Sequence, residues 1–293
     1  MASRTVDRVA ADARAASFTR RSLKGETKRV GLRRAIALTD LTTLEGKDSP
    51  EKVRALCRKA RQPDATLAEV TSVAAVCVYP RLVATARAAL AESAVKVASV
   101  ATAFPSGQSS LELRLAEVEE AVLAGAHEVD MVISRGVFLS GRHDLVAEEI
   151  REVKSACGPA LLKVILETGE LETYDKVRSA SELAIANGAD FIKTSTGKIA
   201  PAATMGVTLV MLEAVREHFH ATGRKIGVKA AGGIRTAKQA LHYMVMVKET
   251  MGTEWLCPEL FRFGASTLLD DLLLQIRKQE SGAYSASWDV TEA

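Results

Sequence analysis

"NGADFIKTSTGK", residues 187–198, places a helix stop, a buried strand and a reactive loop in a single short run. Gly188 suits the left-handed position at which helices end. Phe191 and Ile192 suit a parallel strand buried on both faces, which reads as a short continuous apolar run. The strand then reaches Lys193 and a hydroxyl-rich loop, Thr194 to Gly197, before Lys198.

Working outward, the same unit recurs from about residue 35: a short apolar run, a polar break, then a longer amphipathic segment. Eight runs fit: "AIAL" before Thr39, "VAAVCVY" around Cys77, "VKVASVATAF" around Val100, "HEVDMVI" around Asp130, "LLKVILE" around Val164, "DFIKT" around Lys193, "IGVKAA" around Val228 and "LFRFG" around Arg262. Helix punctuation supports the alternation. Ser49 with Pro50 is a cap followed by a first-turn proline, Ser109 with Glu112 has capping-box spacing, and Gly125, Gly158 and Gly188 end helices directly ahead of strands. Eight β-then-α units without a linker predict an α/β fold: a single (β/α)8 TIM barrel over residues 35–280. A basic, partly helical N-terminal extension (1–34) precedes it, and a C-terminal tail (281–293) follows.

In such a barrel the reactive groups lie at the C-terminal ends of strands. Lys193 lies near the end of strand six and Lys229, in "IGVKAAGG", near the end of strand seven. An ordinary lysine is neutral in only about one molecule per thousand near neutral pH. Burial, and a second ammonium close by, lower that proton affinity and make a Schiff-base nucleophile. Asp130, in an otherwise apolar strand, is a candidate for moving protons near the imine and equally a buried ion-pair partner. Asp40 in "ALTDLTTL" is placed to hold Lys229 or a substrate hydroxyl, with Thr42 nearby. Lys163 is a candidate for the same interior network, Thr194 opens the reactive loop, and Thr42, Cys77, Lys163 and Thr194 are the expected substrate-binding residues. Cys77, late in strand two, faces the mouth or packs as a small hydrophobe.

Glycines after strands six, seven and eight suggest a phosphate cradle, because bare N–H groups near helix starts bind phosphate. Gly197, Gly232, Gly233 and Gly264 are the candidates, with Lys198, Arg235, Ser266 and Thr267 as added donors. The four cysteines are far apart, so neither a disulfide framework nor a zinc site is expected. No metal motif, Walker sequence, dinucleotide fingerprint or nucleophile elbow occurs. The apolar run "VTSVAAVCVYP" is well short of the roughly 20 residues a membrane helix needs, and a reducing cytoplasm fits. Residues 1–34 carry ten Lys and Arg against three Asp and Glu, so the net charge of +3 belongs to this arm. Acidic interruptions and a lone aromatic, Phe18, argue for packing on the barrel rather than nucleic-acid binding or an organelle presequence.

Taken together, "DLTTL", "VCVYPR", "EVDMVI", "KVILETGEL", "DFIKTSTGK", "GVKAAGGIRT" and "FRFGAS" resemble the deoxyribose-phosphate aldolases, in the same order and from about Asp40 to Leu269. The resemblance implies a class I aldolase, free of metal and cofactor. It would interconvert 2-deoxy-D-ribose 5-phosphate with glyceraldehyde 3-phosphate and acetaldehyde. It implies Lys193 as the Schiff-base lysine, Lys229 as the lysine that perturbs it, Asp130 as acid/base partner and Asp40 in a hydroxyl or relay role. Gly197, Lys198, Gly232, Gly233, Arg235, Gly264 and Ser266 would form the phosphate site. A homodimer is also implied. The chain departs from the pattern at Arg135, at Thr267 where a second serine is common, and in its basic extension. A tail tyrosine, Tyr284, is a candidate for closing over the phosphate. Other readings are a different Schiff-base aldolase of phosphorylated sugars, or a catalytically silent barrel used as a binding module.

Overall fold

The computed structural model describes residues 5–67 and 69–282. Eight strands, β1 Thr39–Thr42, β2 Ala75–Val78, β3 Lys96–Val100, β4 Glu128–Val132, β5 Leu161–Ile165, β6 Phe191–Lys193, β7 Gly227–Ala231 and β8 Phe261–Ala265, pair in parallel and in sequence order. Closure comes from β8 pairing back with β1 through Asp40 opposite Gly264. Every residue of β2, β4, β6 and β7 is buried, as expected for strands lying between a filled barrel interior and an outer ring of helices.

The principal outer helices are α3 Pro50–Arg61, α4 Val83–Ala89, α5 Leu111–Leu123, α7 His143–Ala156, α8 Tyr174–Ala186, α9 Met205–Thr222, α10 Ala237–Met251 and α11 Leu268–Ser281, with a short α6 at Arg135–Leu139. Their starts follow the side chains. Ser49, Thr173 and Thr204 each accept the N–H of the third residue onward, and Thr236 with Gln239 closes a full capping box. The expected cap of α5 moves by one residue: Ser110, not Ser109, accepts the Leu113 N–H. Gly125, Gly158 and Gly188 do adopt positive φ (98°, 51° and 107°), which lets the chain turn from helix into strand without a Cβ clash.

One expected strand is displaced. Ala35, Ile36 and Ala37 of "AIAL" form the last turn of a helix, α2 Gly25–Ala37, and β1 begins only at Thr39. Leu32, Ala35 and Ile36 are buried at helical spacing, so the apolar run is the inner face of a helix end rather than a strand. Before it, α1 Arg8–Phe18 lies on the outer helices with Ala11, Ala15 and Phe18 turned inward. Arg14 pairs with Glu213 of α9 at 2.6 Å, and Asp12 accepts from the Tyr174 hydroxyl of α8 at 2.5 Å. The extension therefore spans residue 34 without a break.

Two apolar clusters divide the core. The larger fills the space between strands and helices; the smaller, Leu44, Cys77, Ala98, Val100, Phe104, Val132 and Ile165, lies inside the barrel toward its mouth.

Candidate active site

Because strand side chains alternate, Glu128 and Asp130 of β4 both point into the barrel, as do Lys163 of β5, Lys193 of β6, Lys229 of β7, Arg262 of β8 and Asp40 of β1. They form one connected ion network. Asp130 is its hub: one carboxylate oxygen, Oδ2, accepts from Lys193 at 2.8 Å and Lys229 at 2.9 Å, while Oδ1 accepts from Lys163 at 3.0 Å. Lys163 also reaches Glu128 at 2.5 Å, Lys229 reaches Asp40 at 2.6 Å, and Arg262 joins Asp40 (2.5 Å) to Glu128 (3.0 Å). Lys193 and Lys229 are register partners on adjacent strands.

The network distributes its neutralisation unevenly. Lys163 and Lys229 each touch two carboxylates, whereas Lys193 touches one and shares that oxygen with Lys229. Burial lowers the proton affinity of all three ammonium groups. For Lys229, Asp130 and Asp40 more than compensate and its pKa is raised; for Lys163, Asp130 and Glu128 do the same. For Lys193 burial prevails over Asp130, Lys229 adds repulsion, and the pKa falls below the ordinary lysine value. Asp130 behaves in the opposite sense: burial favours its neutral form, but Lys163, Lys193 and Lys229 hold it well below the usual carboxylate range. Asp40, likewise buried, is held low by Lys229 and Arg262.

Above the network lies a cavity of about 400 Å3 with Lys193 in its wall. Gly197 and Lys198 line it from the loop after β6, Gly232, Gly233 and Arg235 from the loop after β7, Gly264 and Ser266 from β8 and the loop after it, and Thr42 from β1. Thr267 lines it too, as the first residue before α11, which starts without a side-chain cap. By contrast, the first amides of α10 are taken by side chains of α10 and α11: Arg235 and Thr236 N–H donate to Gln239 of α10, and Ala237 N–H donates to Asp271 of α11. Gly232 is at φ 82°, and a Cβ there would lie 2.7 Å from Ala202 Cβ, so the close approach of these loops depends on glycine. Gly264 has a different reason. A Cβ would come within 3.0 Å of Lys229 Cε and 2.8 Å of Ala231 Cβ, so its absence leaves room for the lysine.

Three residues expected beside substrate do not line the cavity. Lys163 is fully buried lower in the barrel, committed to Glu128 and Asp130. Thr194 spends its hydroxyl on the neighbouring strand, accepting the Ala231 N–H at 2.9 Å and approaching the Ala231 carbonyl at 3.2 Å. Cys77 is buried in the small apolar cluster, where burial and the nearby Asp130 charge push its thiol up to about 11. Asp40 lies beneath Lys229, paired to it and to Arg262. Arg135 reaches across the mouth, pairing with Glu170 and donating to the Pro105 carbonyl at 3.0 Å. Tyr284 lies outside the described residues.

Sequence reasoning gave no role to Glu128, Arg262, Glu167 or Lys52. The first two were signalled by strand alternation, two residues from Asp130 and Gly264 on the same face. Glu167 is fully buried at φ 53° and accepts the Thr196 hydroxyl at 2.5 Å, anchoring the loop after β6. Lys52 enters the cavity wall from α3, paired to Asp48 at 2.7 Å.

Residues 34–273 match the family model described as DeoC/LacD family aldolase. The chain belongs to the DeoC/LacD aldolase family. Among its relatives, human deoxyribose-phosphate aldolase is 47% identical over 281 residues, 92% of this chain and 88% of that one. The Agrobacterium fabrum deoxyribose-phosphate aldolase is 44% identical over 240 residues, 81% of this chain and 88% of that one. The solved tetrameric deoxyribose phosphate aldolase from Aeropyrum pernix superposes with a TM-score of 0.62 at 25% identity, covering 89% of this chain and all of that one. In this family member, among the described residues, no cluster of His, Cys, Asp and Glu could hold a metal ion and no helix is long and apolar enough to cross a membrane.

Proposed function

We infer that this chain cleaves 2-deoxy-D-ribose 5-phosphate reversibly to D-glyceraldehyde 3-phosphate and acetaldehyde, through an imine on Lys193. The observation that carries the reading is the placement of Lys193: the least neutralised cation of a buried network, in the wall of a cavity lined with Lys52, Lys198 and Arg235. The similarity to relatives named deoxyribose-phosphate aldolase supports the substrate.

Neutral Lys193 Nζ adds to the C1 aldehyde, and loss of water gives a protonated imine. That cation draws in the electron pair of the C2–C3 bond as the C3 hydroxyl gives up its proton, releasing glyceraldehyde 3-phosphate and leaving an enamine. Protonation of the enamine at C2 and hydrolysis release acetaldehyde. Asp130, within hydrogen-bond reach of both lysines, passes protons through the site, and Lys229, raised in proton affinity, stays cationic and by repulsion keeps Lys193 available as the neutral amine. With its depressed pKa, Asp130 hands a proton on rather than storing it. The glycine loops and cavity cations hold the phosphate and so orient C1 toward Lys193. The imine is itself the electron sink, so the reading needs no cofactor. A homodimer in a reducing cytoplasm completes the proposal, with buried Cys57, Cys77 and Cys157 remaining as thiols.

Borohydride reduction in the presence of acetaldehyde tests it. Peptide mapping is expected to find an ethyl group on Lys193, and none at that position in Lys193→Leu. An adduct on another lysine, or no adduct, would reject the assignment.

A further inference from the structure

The loop after β1 carries two carboxylates of different character, of which Glu45 lines the cavity. Asp48 has a side chain only 1% exposed and is heavily committed: it accepts from the Thr43 hydroxyl at 2.9 Å, from the Glu45 N–H at 2.9 Å and from Lys52 at 2.7 Å. Glu45 is anchored through its backbone by Asp48, but its own carboxylate is 56% exposed and reaches Lys198 across the mouth at 2.7 Å. The two partners come from opposite sides of the cavity, one after β1 and the other after β6. Hydrogen bonding and attraction from Lys198 keep Glu45 more acidic than usual.

These two pairs respond differently to an incoming phosphate. Displacing Asp48 from Lys52 would strand a buried carboxylate that also organises the loop. Displacing Glu45 from Lys198 breaks one solvent-exposed ion pair, an interaction of small net worth that water readily replaces. A phosphate dianion seated among Lys198, Gly232 and Gly233 would meet the Glu45 carboxylate as a like charge, and the two anions compete for one ammonium group.

We propose that Glu45 is a specificity-determining counter-ion of the phosphate cavity: it occupies Lys198 in the empty site, is expelled by the substrate phosphate, and returns to help release phosphorylated product. This rests on the reading of the cavity as the sugar-phosphate site. The pair costs phosphorylated ligands some affinity and costs uncharged sugars nothing, because they leave it closed. Its effect therefore appears in KM for phosphorylated substrate and in product inhibition, not in the chemistry at Lys193.

The test is calorimetric titration of the full-length protein with inorganic phosphate, for the natural sequence, Glu45→Gln, Lys198→Gln and the double variant. Glu45→Gln is expected to tighten phosphate binding about threefold, the scale of an exposed pair, and to lower KM for 2-deoxyribose 5-phosphate in parallel while KM for unphosphorylated 2-deoxyribose stays constant. In the Lys198→Gln background the same change should have no effect, since the competition has lost its object. Unchanged or weaker phosphate binding in Glu45→Gln overturns the proposal, and so does equal tightening in both backgrounds or a natural protein that binds no phosphate. A natural protein that binds phosphate yet fails to cleave the sugar overturns the assigned reaction instead, and the titrations still decide the role of Glu45.

Discussion

Two regions meet inside this barrel and impose opposite demands on the same amine. On one side Glu128, Asp130, Lys163, Lys229, Arg262 and Asp40 satisfy one another through contacts of 2.5 to 3.0 Å. On the other, Cys77, Ala98, Val100, Val132 and Ile165 present only hydrocarbon and a thiol. Lys193 stands on the border, with Ile165 as its register partner on β5 and Lys229 on β7. The apolar side penalises any charge without distinction. The ionic side decides which cation escapes that penalty, and by giving Lys163 and Lys229 two carboxylates each it leaves Lys193 as the group that gives up its proton.

The largest expected effect comes from removing the border residue itself. Lys193→Leu should reduce turnover by about a thousandfold or more, since no neighbouring amine can take over the imine; activity surviving within tenfold, measured with 2-deoxyribose 5-phosphate, would place the chemistry elsewhere. Next is the ionic side. Lys229→Leu leaves Asp40 and Asp130 short of a cation, at a cost of about 3–5 kcal/mol in stability, and slows turnover by roughly a hundredfold. Because Asp130 then attracts Lys193 without competition, Lys193 keeps its proton to higher pH and the acid limb of the pH–rate profile moves in the alkaline direction. An unmoved limb would remove Lys229 from the tuning.

The apolar side should act more gently on the chemistry. Ile165→Asn offers the ammonium a polar neighbour, raises the Lys193 pKa and shifts the same limb upward by less than one unit, with a rate loss of about three- to tenfold at neutral pH. Should it shift the limb as far as Lys229→Leu does, desolvation rather than charge would dominate. Cys77→Ala is the smallest perturbation: about 1–2 kcal/mol of stability by chemical denaturation and a rate within about twofold. A larger loss of rate would return Cys77 to the substrate pocket.

Much of this division can be read from the chain, because strands buried on both faces are written as short apolar runs, and a lysine or aspartate inside one is conspicuous. Lys193, Lys229 and Asp130 stand out for that reason. Glu128 and Arg262 escape notice because each lies at or near a strand end, where a charged residue ordinarily faces solvent; only the closure of β8 onto β1 brings Arg262 to Asp40. Thr194 misleads in the opposite way: a hydroxyl beside a reactive lysine invites a substrate role, but the parallel neighbour supplies a backbone partner that no local pattern reveals. "AIAL" misleads because four apolar residues fit the end of an amphipathic helix as well as they fit a strand. The cavity was legible as a set of glycines, but the reason for Gly264, space for the Lys229 side chain, needs three dimensions.

That misread helix end carries a practical lesson. The family match opens at residue 34, inside the final turn of α2, and Gly31 lies so close to α10 that a Cβ there would come within 2.7 Å of Leu241. Trimming the gene at the homology boundary would strip Leu32 from its seat and cut α2 to a fragment too short to hold itself, baring an oily scar on α10 and α11. Such a shortened protein would be expected to clump during expression even with every reactive group in place, so the outermost helices are part of what keeps the innermost amine usable.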